Sequence, residues 1–114
     1  MARILVADND PSALDLALLD LRLEGHFVVG AADGESACAL VETMAPDVVV
    51  LDYRMPPGPT GLAVGKQLRA QHPELRIVLY TNYHDADLVR EAGEFGLLFL
   101  PKGDLRRLRD AVSA

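Results

Sequence analysis

The run Val48-Val49-Val50-Leu51 ends in a carboxylate, Asp52, and the turn behind it, Met55-Pro56-Pro57-Gly58-Pro59-Thr60-Gly61, holds three prolines through which no strand can continue. The same punctuation recurs along the chain. Asp8, Asn9 and Asp10 follow the apolar run 3–7, Thr81 follows 76–80, and Lys102 follows 97–100. If these runs are parallel strands, all of those side chains share one sheet edge, where loops splay apart and ligands collect in open α/β sheets. Carboxylates gathered there repel one another unless a cation intervenes. A hard, oxygen-preferring ion such as Mg2+ meets that need, keeping several waters and taking only one or two carboxylates. A hydroxyl and an ammonium beside it make a place for phosphoryl oxygens.

The elements that must position these groups are legible in the pattern. Residues 48–51 lack polar alternation, as expected of a strand covered on both faces. Runs 3–7, 26–31, 76–80 and 97–100 read the same way. Between them lie helical stretches at about 11–24, 35–44, 61–72, 85–93 and 104–113. Asp10-Pro11 is a helix start, with Asp capping the free amides and Pro suited to the first turn. In that first helix Leu14, Leu18 and Leu21 form one face, and Leu16, Leu19 and Leu23 are expected to widen it. Gly65, inside the third helix, is expected to mark a close packing contact. The alternation predicts an α/β domain spanning residues 1–114, a five-stranded parallel sheet with right-handed crossovers and helices on both faces.

Composition narrows the function. One domain is what 114 residues allow. Half the chain is hydrophobic but only 5% aromatic, which makes the core aliphatic. A formal net charge of −6 opposes contact with nucleic acid or an anionic membrane. The one basic cluster, Lys102, Arg106, Arg107 and Arg109, is diluted by Asp104 and Asp110 and reads as a solvated helix face. Cys38 stands alone among Ala37, Ala39, Leu40 and Val41, a small core hydrophobe that fits a reducing cytoplasm. No signal peptide is legible, and no apolar run nears the ~18 residues of a membrane span. His26, His72 and His84 have no paired spacing for metal or base work.

At this point the chain resembles the receiver domain of bacterial response regulators. The markers are Asp8-Asn9, Asp52-Tyr53-Arg54-Met55-Pro56, Thr81 and Lys102, in order and at family spacing over the whole length. The resemblance implies a flavodoxin-like (βα)5 fold with strand order 2-1-3-4-5. It implies that Asp52 accepts a phosphoryl group from a sensor histidine kinase or a small phosphodonor. Mg2+ would be held by Asp8, Asn9, the Asp52 carboxylate and the backbone carbonyl of Arg54. Thr81 and Lys102 would engage the phosphoryl oxygens, and Phe99 would be an aromatic switch moving with Thr81. Such a protein is no enzyme beyond self-phosphorylation and self-dephosphorylation. It signals to a downstream output protein or domain through the fourth helix, fifth strand and fifth helix, which is also a surface for homodimers.

Several residues depart from the family pattern. Asn9 stands where an acidic metal ligand is usual, which favours a phosphate-independent pseudo-receiver as the alternative. Asp10 is placed either to replace it or to cap the first helix. The loop 55–61 is one residue longer than the common spacing, and Gly103 follows Lys102 where proline is frequent, so that turn need not hold a cis bond. Arg54 and Tyr83, two residues past Asp52 and Thr81, either shield an acyl phosphate or pack on the surface. From another class, a haloacid-dehalogenase-like phosphatase would use Asp8 and Asp10 as nucleophile and acid, but would leave the Asp52 stretch idle. A flavin-binding protein would need a phosphate loop after the first strand.

Overall fold

The computed structural model describes residues 1–113. Strands and helices alternate as β1 (Arg3–Ala7), α1 (Pro11–Leu23), β2 (Phe27–Ala31), α2 (Gly34–Met44), β3 (Val48–Leu51), α3 (Gly61–Gln71), β4 (Arg76–Thr81), α4 (Ala86–Glu94), β5 (Leu98–Pro101) and α5 (Leu105–Ser113). All strand pairs are parallel, in the order β2-β1-β3-β4-β5. The expected fold class is therefore the observed one.

Alternate residues of the central strands feed two cores. Leu5, Val49, Leu51, Ile77 and Leu79 pack beneath α2, α3 and α4, through Val41, Leu68 and Leu88 among others. Ile4, Val6, Val50, Val78 and Tyr80 face α1 and α5, through Leu21 and Leu108. Burial on both faces is why these strands show no polar alternation. Each helix starts on a side-chain oxygen that accepts an orphan backbone N–H: Asp10 from Ser12, Asp33 from Ser36, Thr60 from Ala63, Asp85 from Asp87 and Leu88, and Asp104 from Arg107.

Two glycines mark close approaches. A Cβ on Gly65 would lie 2.7 Å from Leu97 Cδ1, the contact expected of it. A Cβ on Gly61 would overlap the backbone carbonyl of Asp52, so the first turn of α3 sits directly against the end of β3. The loop between them carries a cis Pro56–Pro57 bond, and Gly103, after Lys102, takes φ +104°.

Some expectations need correction. Leu16, Leu19 and Leu23 do not widen the buried face of α1; they are 55%, 57% and 76% exposed. At 100° per residue they point opposite to Ala17 and Leu21, which alone reach the core fully. β2 starts at Phe27, because the His26 backbone N–H donates to Leu21 O at 3.3 Å, closing α1. β5 starts at Leu98, because the Leu97 backbone N–H donates to Ala92 O at 2.9 Å, closing α4. Cys38 is half-buried against the α2 core, and burial pushes its thiol upward in pKa. That is the inert state expected of it.

Candidate functional site

β1 and β3 lie side by side, with Ala7 opposite Leu51, so Asp8 and Asp52 emerge at one edge from adjacent strands. Backbone bonds continue the ladder past the strand ends: Asp52 N donates to Ala7 O at 2.9 Å, and Asp8 N to Ala31 O at 3.0 Å. Thr81 ends β4 and Lys102 follows β5, and they are tied by Lys102 N donating to Thr81 O at 3.1 Å. Asp8, Asp52 and Thr81 are the polar side chains buried among core residues.

Each carboxylate has one oxygen anchored and one free to act. Asp8 Oδ1 accepts from Asp10 N at 2.9 Å, and Asp52 Oδ1 from Tyr53 N at 2.8 Å. The Oδ2 atoms converge on one point, occupied by Lys102 Nζ, 2.5 Å from Asp8 and 3.2 Å from Asp52. Burial by itself would lower the pKa of the Lys102 ammonium, but the two carboxylates outweigh it and hold it above its usual value. Asp8 moves the other way from a simple ion pair. Its burial, aided by the Asp52 charge, outweighs Lys102 and the Asp10 N–H and raises its carboxyl. One ammonium shared between two buried carboxylates leaves the Asp8 charge incompletely compensated.

The ammonium acts as a stand-in cation. It shows that Asp8 and Asp52 present their free oxygens to a common positively charged centre, the donor set a hard ion such as Mg2+ takes. Asn9 lies beside them in sequence but is exposed. Asp10 is committed elsewhere, its Oδ1 accepting from Ser12 N at 3.1 Å as the cap of α1. Capping, rather than substitution for a missing acid, is the role its geometry gives it. The same bond occupies the group that the phosphatase reading needs as a general acid. Among the described residues no group of three or more His, Cys, Asp or Glu is arranged to hold a metal.

The loops after β3 and β4 carry an aromatic stack, packed against the α2–α4 core, that the sequence reading only half found. The Tyr53 and Tyr83 rings stack at 4.8 Å and 13°, and the Arg54 guanidinium sits 4.7 Å over the Tyr83 ring. Tyr53 was missed as a partner, although an aromatic directly after Asp52 and another two residues past Thr81 was the available signal. Thr81 Oγ1 accepts from Tyr83 N at 3.1 Å, which ties the hydroxyl to the backbone of the loop that carries Tyr83. Phe99 is half-buried against the α2–α4 core, with the His84 ring edge-on at 6.0 Å. The remaining histidines are engaged structurally, His72 with Glu42 at 3.0 Å and His26 with Ala2.

Comparisons with known proteins agree with this geometry. The family description "Response regulator receiver domain" matches residues 4–113. Sporulation initiation phosphotransferase F of Bacillus subtilis is 30% identical over 112 residues, covering 96% of this chain and 90% of that protein. The DNA-binding response regulator MtrA of Mycolicibacterium smegmatis is 36% identical over 112 residues, 94% of this chain but only 49% of that one. Among solved structures, the signal receiver domain of the putative response regulator NarL from Mycobacterium tuberculosis superposes with a TM-score of 0.89 at 31% identity, covering 98% of this chain and 93% of that one. With strand order, edge and sequence in agreement, this chain belongs to the response regulator receiver domain family.

Proposed function

We propose that this chain is a phosphorylation-dependent signalling receiver in which Asp52 accepts a phosphoryl group from a sensor histidine kinase or a small phosphodonor. The observation that carries the reading is the convergence of Asp8 Oδ2, Asp52 Oδ2 and Lys102 Nζ at one sheet edge. In the transfer, Asp52 Oδ2 bonds to phosphorus while the bond from phosphorus to the donor's nitrogen or oxygen breaks, its electron pair leaving with the donor. The carboxylates of Asp8 and Asp52, with the Asn9 amide and the Arg54 carbonyl, would hold Mg2+, which when bound would supply the positive charge that lets a carboxylate meet a phosphoryl dianion. Tyr53 N, donating to Oδ1, fixes the rotation of the Asp52 carboxylate so that Oδ2 faces the donor. Lys102 and Thr81 then gain charge-assisted bonds to the new phosphoryl oxygens; the acyl phosphate carries roughly −1.5 to −2, about −0.5 to −1 more than the carboxylate it replaces.

Signalling follows from that difference in contacts. To reach the phosphoryl group, Thr81 Oγ1 must leave Tyr83 N, and the loop carrying Tyr83 and His84 moves with it. Phe99, packed against His84, responds in turn. The α4–β5–α5 surface, with Leu98 exposed on it, carries the change to an output protein or domain or to a second copy. We place this signalling in the cytoplasm; no helix among the described residues is long and apolar enough to cross a membrane. The chain spans most of the length of the sporulation phosphotransferase but a third to a half of the transcriptional regulators it matches. An output domain in the same protein and a separate partner are both compatible with that.

The test is incubation with a small phosphodonor and Mg2+, read by intact mass and peptide mapping. One phosphoryl group on Asp52, lost in Asp52→Asn, is the expected result. No mass gain in the wild-type chain would overturn the reading in favour of the phosphate-independent module that Asn9 favours.

A further inference from the structure

We propose that Tyr80 is a positioning residue: its buried hydroxyl holds the turn between β5 and α5, and so fixes the point from which Lys102 reaches the sheet edge. The proposal rests on the functional reading above only where it predicts a labelling rate. The pairing of β4 with β5 ends with Tyr80 opposite Leu100 and Thr81 opposite Pro101. Beyond it, two successive residues of the turn are tied back to two successive residues of β4. Lys102 N donates to Thr81 O at 3.1 Å, and Gly103 N donates to Tyr80 Oη at 3.3 Å. The first bond continues the ladder. The second is made by a side chain, on the face of the sheet opposite the Thr81 hydroxyl.

The residue types at both ends of this bond fit it. Among the described residues buried between the sheet and helices α1 and α5, Tyr80 is the one aromatic; its companions there, Val50, Val78 and Leu100 among them, are aliphatic. A leucine or valine would fill the same core without offering an oxygen, and a phenol only 7% exposed needs a partner for its hydroxyl. Gly103 takes φ +104°, and a Cβ there would meet nothing within 4 Å. The backbone conformation, rather than crowding, is therefore what calls for glycine. Proline, frequent after this lysine in the family, could neither adopt that φ nor donate an N–H. Glycine gives the turn both a donor and freedom, and Tyr80 removes the freedom again. On the far side Asp104 is committed to the start of α5, its Oδ1 accepting from Arg107 N at 3.1 Å. Gly103 is the joint left between two held residues. Letting it swing spreads the position of Lys102 Nζ, which lies 2.5 Å from Asp8 and 3.2 Å from Asp52.

Tyr80→Phe keeps the ring and removes only the oxygen, so it tests the bond without emptying the core. In the unphosphorylated chain the Gly103 amide is expected to lose about tenfold or more of its protection from hydrogen exchange, and the Lys102 side-chain methylene signals to move. In the wild-type chain that amide should exchange slowly although Gly103 is exposed, a readout that needs no variant. Labelling of Asp52 by a small phosphodonor should slow about tenfold in Tyr80→Phe, as it does when a reacting site loses its positioning. In a Lys102→Met background the same substitution should change the rate by less than about twofold, because the group it positions is gone. Unmoved Lys102 signals in Tyr80→Phe, or equal slowing with and without the lysine, would overturn the proposal. Shifted Gly103 and Lys102 signals in a chain that no phosphodonor labels would instead strike the functional reading and uphold the link from Tyr80 to Lys102.

Discussion

Asp8 is the residue whose ionisation is least comfortable. Burial, with the Asp52 charge behind it, raises its pKa in the folded chain above the unfolded value, and Lys102 offsets this only in part. An acid with a raised folded pKa contributes its full stability below the unfolded pKa and loses it as pH rises through the folded one. At neutral pH an ionised Asp8 therefore weakens the fold. Asp8→Asn is expected to unfold at a higher urea midpoint than wild type at pH 7. The gap should narrow as pH falls through the raised value toward the ordinary carboxylate range, because only the wild-type chain takes up the proton. Paired urea titrations at several pH values check this, and a gap independent of pH would refute it. Asp52, anchored by Tyr53 N, lies on the same edge, so the stability given up at Asp8 is held where transfer is proposed to occur.

At the level of elements, the site depends on how closely α3 approaches the end of β3. Gly61 N donates to Tyr53 O at 2.7 Å, and the space a Cβ would need at Gly61 is filled by the carbonyl of Asp52. Backbone held by ladder bonds cannot step aside. Gly61→Ala is expected to cost about 2–4 kcal/mol and to shift the amide resonances of Asp52 and Tyr53. Gly65→Ala also meets a close neighbour, but that neighbour is a terminal methyl of Leu97, which can rotate. It should cost about 1 kcal/mol and leave the Asp52 resonances in place. Chemical denaturation with two-dimensional spectra separates the two, and equal effects on Asp52 would contradict the argument.

For the whole molecule, the informative surface is α1. Leu16, Leu19 and Leu23 form an exposed stripe at i, i+3, i+7, and the helix they line is capped by Asp10, two residues beyond Asp8. Three leucines are far short of the ~800 Å² per partner of a standard stable interface. They suit a brief encounter, and the donor proposed to bring phosphorus to Asp52 would approach over this edge. Leu19→Glu is expected to change stability by no more than ~0.5 kcal/mol. It should slow transfer from a cognate kinase by about tenfold, the ~1.4 kcal/mol scale of one leucine's apolar burial. Labelling by a small phosphodonor should be unaffected. Equal slowing with both donors would place the defect in the site and remove α1 from the encounter.

Much of this protein is decided by patterns local in the chain. Apolar runs without alternation specify buried parallel strands, Asp and Thr before helical stretches specify starts, and the position of polar groups just past each strand places them on a shared edge, because every parallel strand ends on the same side. That is why Asp8, Asp52, Thr81 and Lys102 were identifiable as a set, and why Gly65 was recognisable as a contact point. The length and type of a residue say nothing, however, about which neighbour it reaches. The joining of Lys102 to Asp8 more closely than to Asp52, the stacking of Tyr53 under Tyr83, and the commitment of Asp10 to Ser12 N depend on distances across residues 8 to 102, set by how strands lie beside one another. The leucines of α1 failed for a related reason. Hydrophobicity marks what is able to be buried, but the width of the sheet decides how much of a helix it covers, and here it covers one face and leaves Leu16, Leu19 and Leu23 in water.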